Sequence, residues 1–334
     1  MRRRKSHPLT GLAVVAAILG IVWILLQRPD IPYEELQPRY ASPASKYMDL
    51  PDGVRVHYRD QGLRSGPTLV LVHGFSASLH AWEPWVKALE PHYRIITLDL
   101  PGHGLTRAPP GYLVAPGGFE TVVDTVTRRL GVTRFTLGGN SMGGGVAWRY
   151  ALKHPDRLDG LVLVDAAGWP RTGKGGLLIF RILKNPVGRA LLKNIETRPL
   201  VKQGLEDGYL DPALVTPALI DRYTELARAP GHRDILLGLQ TGPGDPASAA
   251  RLAAIRIPTL VMFGEEDRVI PAGDGKKFAA AIPGATLILY PKVGHAPMEQ
   301  IPQRSAADLK AWLDSKVYPL PATTATAAPA AAMR

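Results

Sequence analysis

The sequence predicts an α/β fold, with a mostly parallel central sheet flanked by helices and a helical cap inserted into it. Three observations predict it. Six short apolar runs each end in Gly, Asp, Asn or His: "TLVLVHG" (68–74), "YRIITLDLPG" (93–102), "RFTLGGN" (134–140), "LDGLVLVDAAG" (158–168), "IPTLVMFGEED" (257–267) and "ATLILYPKVGH" (285–295). Continuous apolar runs of this length suit strands buried on both faces of a parallel sheet. Helical patterns such as "GGVAWRYALKHP" and "QRSAADLKAWLDSK" lie between several of them, and that alternation is how a parallel sheet is wound. From about Gly168 to Ala254 there is no clear strand, only helical pieces separated by Pro and Gly.

The chain starts with a basic N-terminus, residues 1–8, where Arg2, Arg3, Arg4 and Lys5 supply four of the net +11 charges. Residues 9–26, "LTGLAVVAAILGIVWILL", are uncharged and span roughly 27 Å as a helix, close to a hydrocarbon core. They read as a transmembrane anchor. Basic residues before such a span favour a cytoplasmic N-terminus, with the remainder on the far, periplasmic or extracytoplasmic side. The alternative is a secreted protein freed by signal cleavage, although "WILLQRPDIPYEELQP" lacks the small-residue cleavage pattern. Residues 27–46 hold four prolines and read as a short extended linker.

A first core segment, 47–168, begins with "YMDLPDGVRVHYRDQG" as an antiparallel hairpin and carries four of the apolar runs. The helical cap, 169–254, follows. A second core segment, 255–318, supplies the last two runs. Residues 319–334, ending "LPATTATAAPAAAMR", are low in complexity and bury too little to fold, so they read as a disordered tail.

Composition narrows the function. At 334 residues, 46% apolar and 21% charged, the chain can bury a sizeable core. The absence of cysteine excludes disulfides, thiolate metal sites and a cysteine nucleophile. No metal-ligand spacing is present, and the glycines at 138–145 lack a phosphate-binding lysine, so neither metal nor cofactor is expected. The basic residues form no groove-reading motif, which argues against nucleic acid. Residues 171–202 hold eight Lys or Arg against Glu196, interspersed with Leu177, Leu178, Ile179, Phe180, Leu183, Leu191 and Leu192. That pattern reads as a cap helix with its charges in water, or as a basic amphipathic surface able to meet anionic lipid.

The chemistry gathers at "LGGNSMGGG" (137–145). Gly139-Asn140-Ser141-Met142-Gly143 is a G-x-S-x-G motif that ends a predicted strand and opens a predicted helix, the context a nucleophile elbow requires. Ser141 is the candidate nucleophile. A serine hydroxyl needs a base to take its proton, and in an elbow enzyme the order along the chain is Ser, acid, His. His295, after the last predicted strand, fits the base. His154 precedes a proline at a helix end and His232 lies in the cap, so both read as structural or exposed. Asp267, after the penultimate strand, fits the acid that holds the imidazole tautomer. Asp165 in "LVLVDAAG" is the rival, and Glu265 and Glu266 read as solvated loop charges. Met142 would offer its backbone N–H to an oxyanion, and "LVHGFSASLHAW" would supply the second donor from Phe75, with His73 and Gly74 shaping the turn. Trp82 and Trp85 read as packing residues.

With these residues in place, the chain resembles the α/β-hydrolase superfamily over roughly residues 47–316. The resemblance is carried by "HGF" (73–75), "DLPGHGLT" (99–106), "GNSMGG" (139–144), "GEEDRVIP" (264–271) and "GHAPMEQIP" (294–302), five landmarks in family order. It implies Ser141 as nucleophile, Asp267 as acid, His295 as base, and Phe75 and Met142 as oxyanion donors. Serine at the elbow is unlike the aspartate of the epoxide hydrolase and haloalkane dehalogenase branches. "GNSMGG" also resembles the C–C hydrolases of aromatic ring-cleavage pathways, which usually carry an "HGxGPG"-like loop where this chain has "HGFSASLHAW". The expected function is a membrane-anchored serine hydrolase of lipophilic carboxylic esters, esterase- or lipase-like. The alternatives are C–C, amide or thioester hydrolysis with the same triad, and a non-catalytic member that binds a hydrophobic ligand.

Overall fold

A computed structural model of the chain describes residues 8–170, 185–241 and 245–319. Its centre is one eight-stranded sheet in the order β1-β2-β4-β3-β5-β6-β7-β8. The hairpin read from the sequence is present as β1 (Ser45–Asp49) and β2 (Arg55–Gly62), paired antiparallel. Strand β2 also runs antiparallel to β4 (Arg94–Leu98). All further neighbours are parallel: β3 (Thr68–Val72), β5 (Phe135–Asn140), β6 (Leu158–Val164), β7 (Thr259–Gly264) and β8 (Thr286–Tyr290). The six apolar runs therefore form the parallel part of the sheet.

Their composition explains why. Val70, Val72, Leu137, Leu161, Leu163 and Val261 are buried on one face, and Leu69, Leu71, Val162, Val164, Leu260 and Met262 on the other. Helices close both faces. Helix α4 (Gly118–Arg129) and α5 (Met142–Lys153) contribute Val122, Val126, Val146 and Trp148 to the first cluster, while α3 (Glu83–Leu89) contributes Trp85 and Val86 to the second. Trp82 and Trp85 are both fully buried, and Trp85 Nε1 donates to Ser305 Oγ at 2.8 Å. The chain leaves β3 for β4 on one side and then crosses to β5 on the other. The crevice beyond the ends of β3 and β5 is thus the place where such a sheet binds ligands.

Between β6 and β7 the described residues form helices at Pro186–Leu192, Arg198–Tyr209, Pro217–Leu226, His232–Thr241 and Ala249–Leu252, without a strand. Much of the basic stretch, 171–184, lies outside the described residues. In its described part Lys193 pairs with Asp234 at 2.6 Å, Lys202 with Glu206 at 3.4 Å, and Arg198 with Asp221. Those charges are taken up by the domain's own carboxylates.

The N-terminal region requires a correction. Helix α1 runs Pro8–Leu26, with side chains described from Gly11 onward. Among the described residues no helix is long and apolar enough to cross a membrane. This overturns the expected single-pass anchor over residues 9–26, with its cytoplasmic N-terminus and far-side catalytic domain. At its base α1 joins the globular domain: Arg28 N donates to Asn194 O at 2.6 Å, and the Arg28 guanidinium meets Glu196 at 2.7 Å.

Residues 27–46 also differ from an extended linker. Tyr33–Tyr40 forms helix α2, burying Tyr33 and Leu36 against Leu105, Leu226 and Ala229. Proline composition favoured extension locally, and burial of two large side chains outweighs it. Residues 1–7 and 320–334, most of the basic N-terminus and of the expected tail, lie outside the described residues.

Candidate active site

The candidate residues all sit at the carboxyl ends of parallel strands: Phe75 after β3, Ser141 after β5, Asp165 after β6, Asp267 after β7 and His295 after β8. Ser141 joins β5 directly to α5 and holds φ 54°, ψ −117°. A non-glycine residue there costs about 1–3 kcal/mol, retained where the surroundings over-determine it. Here the surroundings do so. Ser141 N donates to Val164 O at 3.0 Å, and Ser141 O accepts from Gly145 N at 3.1 Å and Ala167 N at 2.9 Å. Glycine is required because the turn is so tight. A Cβ on Gly139 would collide with the Gly143 carbonyl, and one on Gly143 with the Val72 carbonyl.

Asp267 and His295 form a direct pair. His295 Nδ1 lies 2.7 Å from Asp267 Oδ2, in hydrogen-bond contact. The other oxygen, Oδ1, accepts from Val269 N at 2.7 Å and Ile270 N at 2.9 Å. The carboxylate is thus held on both oxygens, and its contact with Nδ1 orients the imidazole with Nε2 as the nitrogen free to accept a proton. The His295 loop reaches the Ser141 turn through Asn140, whose Nδ2 donates to His295 O at 3.1 Å and Val164 O at 3.3 Å. Among the described residues no hydrogen bond joins Ser141 Oγ to His295 Nε2; in elbow enzymes that contact commonly tightens only with substrate bound.

The Gly74–Phe75 loop abuts the same serine. A Cβ added to Gly74 would lie 3.2 Å from Ser141 Cβ and 2.9 Å from Asn140 Oδ1. Among the described residues neither the Phe75 nor the Met142 backbone N–H has a hydrogen-bond partner, so both remain available to an anion. Two buried histidines brace this region. Leu100 N donates to His73 Nε2 at 3.0 Å, which leaves Nδ1 as the protonated nitrogen donating to Gly74 O at 2.7 Å. Burial pushes the His73 ring below its usual range and keeps it neutral.

Behind the loop, His57 Nδ1 meets Asp99 Oδ2 at 2.6 Å, and Asp99 also accepts from Leu79 N at 2.7 Å and Leu105 N at 2.9 Å. Burial alone would raise the Asp99 carboxyl. The hydrogen bond and charge of His57 instead hold it well below the usual carboxylate range. Sequence reading recognised "DLPGHGLT" as a landmark but gave Asp99 no task, and it passed over His57 and Asn140. The Asp99 partners Leu79 and His57 lie 20 and 42 positions away in the chain, a pairing no local pattern reveals.

The remaining candidates separate cleanly. His232 is buried, with Nδ1 2.8 Å from Leu226 O and Nε2 2.9 Å from Thr106 O and 3.1 Å from Tyr33 Oη, a structural bridge. His154 caps the end of α5, and Glu265 and Glu266 are exposed. Asp165 is not remote: its carboxylate, that of Asp267 and a ring nitrogen of His295 all lie within 4.8 Å of one another. Beside the base loop, the helices Arg198–Tyr209 and Pro217–Leu226 bound an open cavity of about 280 Å³ whose lining includes Tyr209, Leu219, Arg222 and Glu299. Neither Ser141 nor His295 lines it.

Comparison with known proteins accords with the fold. The alpha/beta hydrolase fold family matches residues 67–301. A 2-hydroxy-6-oxononadienedioate/2-hydroxy-6-oxononatrienedioate hydrolase of Paraburkholderia phymatum is 30% identical over 268 residues, covering 75% of this chain and 89% of that one. A 2-hydroxy-6-oxo-6-phenylhexa-2,4-dienoate hydrolase of Burkholderia cepacia is 28% identical over 275 residues, covering 76% and 91%. Among solved structures, a membrane phospholipase A described as a bacterial virulence factor superposes with a TM-score of 0.68 at 26% identity, covering 92% of this chain and 96% of that one.

Proposed function

The chain belongs to the alpha/beta hydrolase fold family, and on that premise we propose that it is a serine hydrolase using Ser141, His295 and Asp267 to cleave a carbon–carbon bond beside a ketone. The observation that carries the serine mechanism is the strained Ser141 turn, set against a His295–Asp267 pair at 2.7 Å. Ser141 Oγ attacks the carbonyl carbon while His295 Nε2 takes the hydroxyl proton, and Asp267 stabilises the imidazolium. The tetrahedral oxyanion rests on the Phe75 and Met142 N–H groups, worth roughly 3 kcal/mol each in such sites. Collapse leaves an acyl group on Ser141, which water removes with His295 again as base.

The choice of bond follows the relatives, whose names place a 6-oxo group on a 2-hydroxydienoate chain. This favours the carbon–carbon alternative over the carboxylic ester first expected. In the 2,6-dioxo tautomer of such a substrate, attack at carbon 6 releases the bonding pair of the carbon 5–carbon 6 bond. The pair runs through the remaining double bond to the 2-oxo oxygen, which takes the proton held by His295.

A carboxylic ester is the second reading. It is favoured by the loop "HGFSASLHAW", which lacks the glycine-rich form, and by the likeness to a phospholipase. The same triad then returns the proton to the leaving alcohol.

One panel separates the two. 2-Hydroxy-6-oxo-6-phenylhexa-2,4-dienoate and p-nitrophenyl esters of two to sixteen carbons are offered to the parent chain and to Ser141→Ala. Loss of dienoate absorbance faster than any ester is cleaved, abolished by Ser141→Ala, is the expected result. Ester hydrolysis alone would move the assignment to the second reading, and turnover undiminished in Ser141→Ala would overturn both.

A further inference from the structure

We propose that Asp165 is a second acid of this site: a positioning residue that holds a proton while Asp267 is charged, and that supplies the negative charge opposite His295 when Asp267 is neutral. The proposal rests on the triad reading above. Asp165 and Asp267 end neighbouring parallel strands, with Val164 of β6 in register with Met262 of β7. Sheet order, rather than sequence distance, brings the two carboxyls together with His295 inside 4.8 Å.

The hydrogen bonds assign the single proton. Both Asp267 oxygens are already engaged by nitrogen partners, Oδ1 by Val269 N and Ile270 N and Oδ2 by the His295 ring. Asp165 is fully buried at φ 43°, and only its Oδ1 is engaged, by Gly264 N at 2.9 Å. Its Oδ2 is buried without a partner. Two buried carboxyls this close do not both ionise, so Asp165 carries the proton. Burial and the Asp267 charge both push its carboxyl well above the usual range. A purely architectural residue here would be better served by asparagine, which satisfies Gly264 N–H with no carboxyl to keep neutral. The other groups facing this corner are His295 and, from β8, Tyr290, whose hydroxyl donates to Asp308 at 3.0 Å.

Neutralising Asp267 removes the repulsion that keeps the Asp165 proton in place. Asp165 then ionises and sets a negative charge near the imidazolium that forms as Ser141 is deprotonated. The consequence is a graded loss of function in which the second carboxyl covers part of the work of the first.

The test follows capture of Ser141 by a fluorophosphonate from pH 5 to 9.5. In this reaction the serine oxygen bonds to phosphorus, fluoride leaves and His295 takes the proton, so the readout does not depend on the natural substrate. Asp267→Asn is expected to label at least ten-fold faster than Asp267→Asn/Asp165→Asn at pH 9. The gap should close toward pH 5 as Asp165 regains its proton. Asp165→Asn alone is expected to slow labelling a few-fold. Asp165→Ser in the Asp267→Asn background serves as the second variant if the asparagine pair does not fold. Labelling of Asp267→Asn that coincides with that of the folded double variant at every pH would overturn the proposal. A folded parent chain that is never labelled at Ser141 would overturn the nucleophile reading, and this proposal with it.

Discussion

Asn140 Nδ2 donates to the backbone carbonyl of His295 at 3.1 Å, so the residue before Ser141 holds the loop that carries His295. Removing that donor frees the His295 backbone by a fraction of an ångström to an ångström, and misplacement on that scale costs up to about 100-fold. Asn140→Ala is expected to lower kcat by about 10- to 100-fold with KM within about two-fold of the parent. Steady-state kinetics on whichever substrate the panel identifies will check this. A rise in KM at constant kcat would mean that Asn140 serves binding instead.

Gly74 gives a second geometric prediction. A methyl group at that position meets Asn140 Oδ1 at 2.9 Å and Ser141 Cβ at 3.2 Å, so either the oxyanion loop or the elbow must shift. Gly74→Ala is expected to cost about 10-fold in kcat, because a donor aimed at the transition state is moved. Thermal stability should change little. An unchanged kcat would show that the loop yields without disturbing the Phe75 N–H.

The Asp99 cluster predicts a stability effect. Asn at position 99 presents an amide where the carboxylate accepts from His57, Leu79 and Leu105, leaving a buried donor facing a donor. Asp99→Asn is expected to destabilise by about 3 kcal/mol, read from urea denaturation with an unchanged m-value. The Asp99 pKa is depressed in the folded chain. Its contribution is therefore present above the ordinary carboxylate value near ~4 and is lost as pH falls through the folded value. Below pH ~4 the parent should lose stability more steeply than the variant. Parallel acid curves would contradict this assignment.

Glu299 titrates in the opposite sense. Burial pushes its carboxyl up to about 7, against the Tyr209 hydroxyl at 2.5 Å and the Arg222 charge. Because the folded value is raised, its stabilising contribution is complete below the ordinary value near ~4.3 and is lost as pH rises through about 7. Glu299→Gln removes that dependence. The melting temperature of the variant relative to the parent should therefore rise from pH 5 to pH 8 in calorimetry, and a flat difference would count against the assignment.

Much of this arrangement was legible in the residues because the signals were local. The six apolar runs became the parallel strands, since continuous Val, Leu and Ile segments can only be buried on both faces. Ser141 and His295 were placed after strands by local motif, and both follow strands in the sheet. The convergence of Asp165 and Asp267 could not be read, because it depends on β6 and β7 lying side by side. Helix α2 escaped for a related reason: Tyr33 and Leu36 find their burial against residues about 70 to 190 positions distant, a partnership invisible to a proline count. Residues 9–26 carried the hydropathy of a membrane span, yet among the described residues no helix is long and apolar enough to cross a membrane.

The most direct test is to trap the acyl-enzyme. The parent chain is acid-quenched during turnover of the preferred substrate, digested, and its peptides are mapped by mass. An acyl group on the peptide containing Ser141, absent from Ser141→Ala and greatly reduced in His295→Ala, is the predicted result. An adduct on another residue, or rapid turnover with no adduct on Ser141 under single-turnover conditions, would contradict the serine mechanism.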